Sequence, residues 1–311
     1  MKITPFRLAA VSAVAALMLP STALQASAEP LAGTGSVDAA CPAAAGVVVT
    51  CGVAYAGDAN PFHTLDIYRP VGIAKAPVVL MIHGGGWSQG NSAGAAQEAM
   101  YFAQHGLAAV SINYTLATRT QPSWPGVFDE VDQSAAWVRA HGAEYGVDGT
   151  TMGALGTSAG GHLAALLATD GSSPIVATVS LSGPMDLTAS QGEHVGPVRG
   201  LLGCAPVDCM PTATDASPAA TIDERAGPVL LFNSAAEEAV PVAQARTMAA
   251  ALTDAAVPHQ LVVLPGSLHA RAYECSSAVV DGKRQLVIDA SFSYLADRLV
   301  GESVLTASGY C

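Results

Sequence analysis

The chain is short of positive charge, metal-ligand spacings and long apolar runs. Only 13 Lys and Arg stand against 25 Asp and Glu in 311 residues, a formal net charge of −12. The few cations form no cluster, which argues against a nucleic-acid or anionic-membrane partner. No C-x-x-C spacing and no grouped Cys and His occur, so a zinc site is not expected. Internal repeats, charge runs and low-complexity linkers are missing as well, and nothing divides the chain into separate parts.

The one apolar run of any length, Leu8–Leu19, holds 12 residues, against the roughly 20 that a stable membrane anchor needs. Lys2 and Arg7 precede it, Pro20 ends it, and Ala26-Ser27-Ala28 supplies a small-x-small cleavage site. Residues 1–28 are therefore expected to be a signal peptide cleaved after Ala28. No cysteine at the cleavage point marks a lipoprotein, and no twin arginine is present. Without the leader, residues 29–311 carry a formal charge of −14, because Lys2 and Arg7 are lost and no acid goes with them. That length suits a single α/β domain.

All six cysteines lie in the exported part, and an even count in an oxidising compartment implies disulfides. Proximity along the chain favours Cys41–Cys51 and Cys204–Cys209, which leaves Cys275–Cys311.

Short β-branched runs alternate with longer Ala-rich segments. Strands are expected at Val47–Val49, Leu65–Tyr68, Val78–Ile82, Ala108–Asn113, Met152–Leu155, Val176–Leu181, Val229–Phe232 and Leu261–Leu264. Helices are expected at Ala93–His105, Asp129–Tyr145, Gly161–Ala168, Val242–Ala255 and Gln285–Leu299. This alternation predicts an α/β fold, a mostly parallel central sheet with helices on both faces. Residues 182–226 break the rhythm with Gly, Pro, Asp and two cysteines. They are expected to form either a small cap over the site or a surface loop pinned by Cys204–Cys209.

Two glycine-bearing motifs carry the chemistry. Gly156-Thr157-Ser158-Ala159-Gly160 reads as a G-x-S-x-G elbow, a tight strand-to-helix turn that exposes a serine hydroxyl. Such a hydroxyl needs a base to become a nucleophile. Upstream, His83-Gly84-Gly85-Gly86-Trp87 follows an apolar strand. It lacks the Walker and dinucleotide-binding spacings. An oxyanion hole explains it better: backbone N–H groups of Gly84 and Gly85, with Ala159 after the serine, would meet the charge that develops on an acyl carbonyl.

With these two motifs the chain resembles the α/β-hydrolase superfamily, and within it the HGGG-type carboxylesterases of the hormone-sensitive-lipase and feruloyl-esterase-like (BD-FAE-like) groups. Ser111–Ala117, Trp137–Ala140, Glu144–Asp148 and Leu181–Leu187 are further points of similarity, and the likeness spans roughly residues 62–299. The family's order of nucleophile, acid and histidine implies that the last two follow Ser158. The aspartate position of the family falls on Glu237, a departure accompanied by Asn233-Ser234 where His-Gly is usual. Glutamate can do the same work, since the carboxylate has only to orient and stabilise the imidazole. Glu238, one residue on, and Asp186, after an earlier strand, are alternative acids. His269, in the loop after the last strand, is the expected general base.

His162 and His83 are expected to brace the elbow and the oxyanion loop, while His194 is the one other histidine that could line a pocket. Trp87 fits a pocket wall or plain packing. The expected function is hydrolysis of a small-molecule or polymer-borne ester by a secreted serine carboxylesterase, with no metal or organic cofactor. A serine peptidase of related fold and a catalytically silent binding module are the competing readings.

Overall fold

A computed structural model describes residues 41–189, 195–301 and 309–311, all within one unit, 35–311. The expected leader, residues 1–28, and His194 lie outside the described residues.

Eight strands form the central sheet: β1 Val47–Ala54, β2 Thr64–Pro70, β3 Ala76–Ile82, β4 Ala108–Ile112, β5 Val147–Thr157, β6 Ile175–Leu181, β7 Val229–Ser234 and β8 His259–Leu264. Their order is β1-β2-β4-β3-β5-β6-β7-β8, antiparallel at β1, β2 and β4 and parallel from β4 through β8. All eight expected strands are present. The central ones read as unbroken apolar runs because helices cover both faces. Val78, Leu80 and Ile82 of β3 pack in one cluster with α2 Gly126–His141 and α3 Ala159–Thr169. Val79 and Met81 pack in the opposite one with α1 Ala96–Gln104 and α7 Val287–Val300. Toward the far edge, α6 Ala243–Asp254 joins α3 over β7.

The sheet order changes direction at β3, which has β4 on one side and β5 on the other. Open α/β sheets bind ligands in the crevice beyond the strand ends at such a switch. Register then fixes what meets there. Ile82 pairs with Gly156, Thr157 with Leu181, and Leu181 with Phe232. The loops leaving β3, β5, β6 and β7 therefore start side by side.

Three disulfides form: Cys41–Cys51, Cys204–Cys209 and Cys275–Cys311. The last ties the segment after His269 to the C-terminal residue.

Two regions differ from the periodicity reading. Gln285 and Leu286 do not start a helix; they belong to β10 Lys283–Leu286, which pairs with β9 Ser277–Val280. Asp281 and Gly282 both have positive φ, 49° and 74°, as a tight hairpin turn requires. The aperiodic insertion also contains two short helices, α4 Val195–Leu202 and α5 Met210–Asp215. Pro197 of α4 lies over the His83–Trp87 loop, so close that a Cβ on Gly86 would sit 3.2 Å from it. The insertion is thus a small cap at its α4 end, and Cys204–Cys209 pins the loop that follows.

Candidate active site

Ser158 sits between β5 and α3 with φ 53° and ψ −120°. This is strained for a residue with a side chain, and it projects the hydroxyl out of the turn. Its N–H is held by the Leu181 carbonyl at 2.8 Å, which anchors the elbow to β6. The turn closes only because Gly160 has no side chain, since a Cβ there would lie 2.0 Å from the Ile82 carbonyl oxygen. Ser158 also stands at the N-terminus of α3, where the unpaired N–H groups favour negative charge.

The loop after β3 lies against this elbow. A Cβ on Gly84 would meet the Thr157 carbonyl at 2.7 Å and the Ser158 Cβ at 3.2 Å. Glycine is what lets the two backbones approach. The N–H groups of Gly84, Gly85 and Ala159 have no protein acceptor among the described residues, and all three residues line the cavity that holds Ser158. His83 braces the loop from behind. Its Nδ1 donates to the Gly84 carbonyl at 2.7 Å, its ring stacks on Tyr114 at 4.2 Å, and the Tyr114 hydroxyl donates to the His83 carbonyl at 2.9 Å. Burial pushes its imidazole down to about 4, so it is neutral.

His162 does comparable work from the first turn of α3. Its Nε2 donates to the Ala216 carbonyl at 2.7 Å while Nδ1 accepts from the Trp87 indole at 3.3 Å. It too is held neutral by burial, at about 4. Trp87 both lines the cavity and packs, with 1% of its surface exposed.

His269 follows β8 in the same cavity, its side chain one-third exposed. Nδ1 is in short contact with Oε1 of Glu237, a carboxylate that is buried. Oε1 also accepts from the Val240 N–H at 3.1 Å. Oε2 accepts from Ser182 Oγ at 2.7 Å and Asn233 Nδ2 at 3.1 Å. The carboxylate thus takes up four donors. With four donors on its two oxygens the Glu237 carboxylate serves as acceptor throughout, so the hydrogen of the His269 contact sits on Nδ1 and Nε2 is left as the acceptor of the ring.

Of the other two acids considered for this place, Glu238 is exposed, and Asp186 Oδ1 accepts from the N–H and hydroxyl of Thr188 at 2.9 and 2.5 Å. Neither has a contact with His269. Asn233, a departure from the resembled pattern, supports Glu237 directly. Tyr273, which no motif marked, and Ser182, which lies in the Leu181–Leu187 stretch of similarity but was assigned no role there, also belong to this network. The signal for Ser182 was its place in the sheet, since it follows Leu181 at the end of β6 next to the elbow. The remaining described histidines lie outside the cavity, as with His63 between Asp58 and Glu130.

The cavity itself encloses about 570 Å³. Pro184, Pro197 and Val240 give it apolar wall, and Glu98 and Arg271 give it a polar one. Arg271, two residues after His269, pairs through Nε with Glu98 Oε1 and donates from Nη1 to the Gly94 carbonyl at 2.6 Å. Behind them lies Glu274, whose Oε2 accepts from the Tyr310 hydroxyl at 2.8 Å. Oε2 of Glu98 and Oε1 of Glu274 are buried with no partner as carboxylates. A single proton shared between the two acids satisfies both oxygens. Burial, followed by the charge on Glu98, pushes the Glu274 carboxyl up to about 8. Burial raises Glu98 in turn.

A raised acid holds its proton in the folded state and releases it on unfolding. The stabilising contribution is complete below about 4.5 and is lost as pH rises through about 8. Glu274→Gln, which keeps a donor toward Glu98 at every pH, is expected to match the wild-type melting temperature near pH 4.5. At pH 8.5 it should exceed it by roughly 5 °C. Thermal melts across that range check this, and parallel curves for the two proteins would refute the shared proton.

The BD-FAE family profile matches residues 65–252. LipM of Mycobacterium tuberculosis, described as a probable carboxylic ester hydrolase, is 33% identical over 211 residues, which cover 61% of this chain and 48% of LipM. The esterase LipQ of the same organism is 31% identical over 227 residues, 66% of this chain and 53% of LipQ. The chain spans about half the length of these curated relatives. Among solved structures, a truncated carbohydrate esterase from gut microbiota superposes with a TM-score of 0.66 at 23% identity, covering 73% of this chain and 90% of that one. An esterase of Thermogutta terrifontis gives a TM-score of 0.58 at 25% identity, covering 74% and 85%. With a switch point at β3, an HGGG loop and a G-x-S-x-G elbow on adjacent parallel strands, this chain has the α/β-hydrolase fold and belongs to the BD-FAE family.

Proposed function

We propose that the protein is a secreted serine carboxylesterase with Ser158, His269 and Glu237 as its triad. The observation that carries this reading is the Glu237–His269 Nδ1 contact, which leaves Nε2 as the acceptor in the cavity shared with Ser158. Ser158 Oγ attacks the ester carbonyl carbon while His269 Nε2 takes its proton, and Glu237 stabilises the imidazolium. The N–H groups of Gly84, Gly85 and Ala159 receive the tetrahedral oxyanion. On collapse the C–O bond to the alcohol breaks, and His269 returns the proton to the departing oxygen. Water, deprotonated by the same imidazole, then attacks the acyl carbonyl carbon; the bond to Ser158 Oγ breaks, the imidazolium returns its proton to Oγ, and the acid leaves.

Export is part of the proposal, with residues 1–28 as leader and 29–311 as one catalytic domain. The three disulfides support it, because such bonds persist in oxidising compartments. Among the described residues no helix is long and apolar enough to cross a membrane.

Purified protein is expected to hydrolyse p-nitrophenyl acetate and butyrate well above the buffer rate, with a burst of nitrophenol if deacylation is slow. A rate equal to buffer for every short-acyl ester would reject the esterase reading.

A further inference from the structure

Ser182 occupies a position that no element of the proposed reaction uses, yet it joins the acid to the base. It is wholly buried and follows β6 with φ 53°, a left-handed conformation that a side-chain-bearing residue adopts only when its surroundings enforce it. Its N–H donates to the Phe232 carbonyl at 2.9 Å, which fixes it against β7. Oγ lies 2.7 Å from Glu237 Oε2, 2.8 Å from the Tyr273 hydroxyl and 3.2 Å from the Ala270 nitrogen.

Donor counting orients this network. A serine hydroxyl has one proton and two lone pairs. Glu237 Oε2 can only accept, so the Ser182 proton goes there. The Ala270 N–H then donates into Ser182 Oγ. Tyr273, kept neutral because burial holds its phenol well above its ordinary range, retains its proton and can give it to Ser182 or to the Phe232 carbonyl 3.0 Å away. Ala270 directly follows His269 and has φ 46°. The strained turn that aims the imidazole is thus tethered to the same oxygen that holds the carboxylate.

We infer that Ser182 is a positioning residue. Its hydroxyl proton fixes Glu237 and its lone pair fixes the His269 loop, so acid and base are locked to each other through one oxygen. The inference rests on the triad proposed above. Ser182 does not touch substrate; it acts through Glu237 and His269. The titratable groups facing its hydroxyl are Glu237 and Tyr273, with His269 one hydrogen bond further on. Removing the donor leaves the carboxylate more basic and the imidazolium better stabilised, while the orientation of the imidazole is loosened.

The test is Ser182→Gly, chosen because glycine accepts the left-handed backbone without strain and deletes only the hydroxymethyl group. Ser182→Cys, similar in size but a weak donor, is the graded companion. Assays would use p-nitrophenyl butyrate from pH 5 to 9, with melting curves and fluorophosphonate labelling of every variant. Ser182→Gly is expected to lose about 10- to 100-fold in kcat with KM within about twofold. The acid limb of kcat/KM should move to higher pH by roughly half a unit. Ser182→Cys should fall between it and wild type in both respects. A kcat within twofold of wild type would overturn the inference. So would a reduced kcat with an unmoved acid limb, the mark of a merely structural residue. If Ser182→Gly does not fold, the same two criteria apply to Ser182→Cys. Wild-type protein that fails to label at Ser158 rejects the serine-esterase reading itself; wild type that labels while the Ser182 variants behave normally rejects only this inference.

Discussion

Replacing Ser158 by alanine is expected to lower kcat for a short-acyl nitrophenyl ester by about 10⁵- to 10⁶-fold, to the residue of rate that binding and an oxyanion hole supply alone. The fold should survive. The elbow is held by the Ser158 N–H to the Leu181 carbonyl and by the close approach of Gly160 to β3, and neither needs the hydroxyl. Among the described residues Ser158 Oγ makes no hydrogen bond to a protein group, so alanine orphans no partner. The melting temperature should therefore stay within about 2 °C of wild type, less than ~1 kcal/mol for a domain of this size. Activity and melting curves on the same preparation separate lost chemistry from lost structure. A variant retaining a tenth of wild-type turnover would require another nucleophile.

Glu237→Gln is the second large effect, and it should damage both rate and stability. Four donors converge on the carboxylate: His269 Nδ1, the Val240 N–H, Ser182 Oγ and Asn233 Nδ2. A glutamine presents one oxygen and an NH₂ group, so two of the four would face another donor. Either His269 shifts its proton to Nε2, which removes the acceptor that the proposed attack by Ser158 requires, or the amide turns and abandons Ser182 and Asn233. A wrong tautomer in an otherwise intact triad lowers kcat by about 10⁴-fold. Unmet buried donors should cost a further ~2 kcal/mol of stability. Kinetics and denaturant titration measure the two losses independently. Turnover within tenfold of wild type would show that Glu237 does not serve His269.

The parts legible in the sequence are those set by local chemistry. The HGGG turn and G-x-S-x-G elbow announce themselves because close backbone approach forces glycine at fixed spacings. The central strands were legible because burial on both faces leaves apolar runs such as Val78–Ile82 that few other environments permit, and the edge strands β1 and β8 by their β-branched content. Cysteine proximity sufficed for Cys41–Cys51 and Cys204–Cys209, and elimination for Cys275–Cys311. The hairpin at Ser277–Leu286 escaped the periodicity reading although Asp281-Gly282 is a hairpin-turn pair, since its strands are only four residues each. Helices α4 and α5 escaped it too, because eight and six residues give too few turns for an apolar stripe to repeat.

What could not be read at all arises where separate strand ends converge. Nothing near Ser182 in the chain marks its contact with Glu237, 55 residues away, or with the Ala270 N–H, 88 residues away. The meeting of Glu98 with Arg271 and Glu274 likewise depends on α1 lying beside the loop after β8. Even which of Glu237 and Glu238 touches His269 turned on a one-residue register, set by the placement of β7 and its loop.

The central claim is that Ser158 is a nucleophile activated by His269. Intact-mass and peptide analysis after exposure to a fluorophosphonate tests it most directly. The account predicts one stoichiometric adduct on Ser158, absent from Ser158→Ala and formed far more slowly in His269→Ala. An adduct on another residue, or none on protein that hydrolyses esters, would contradict it.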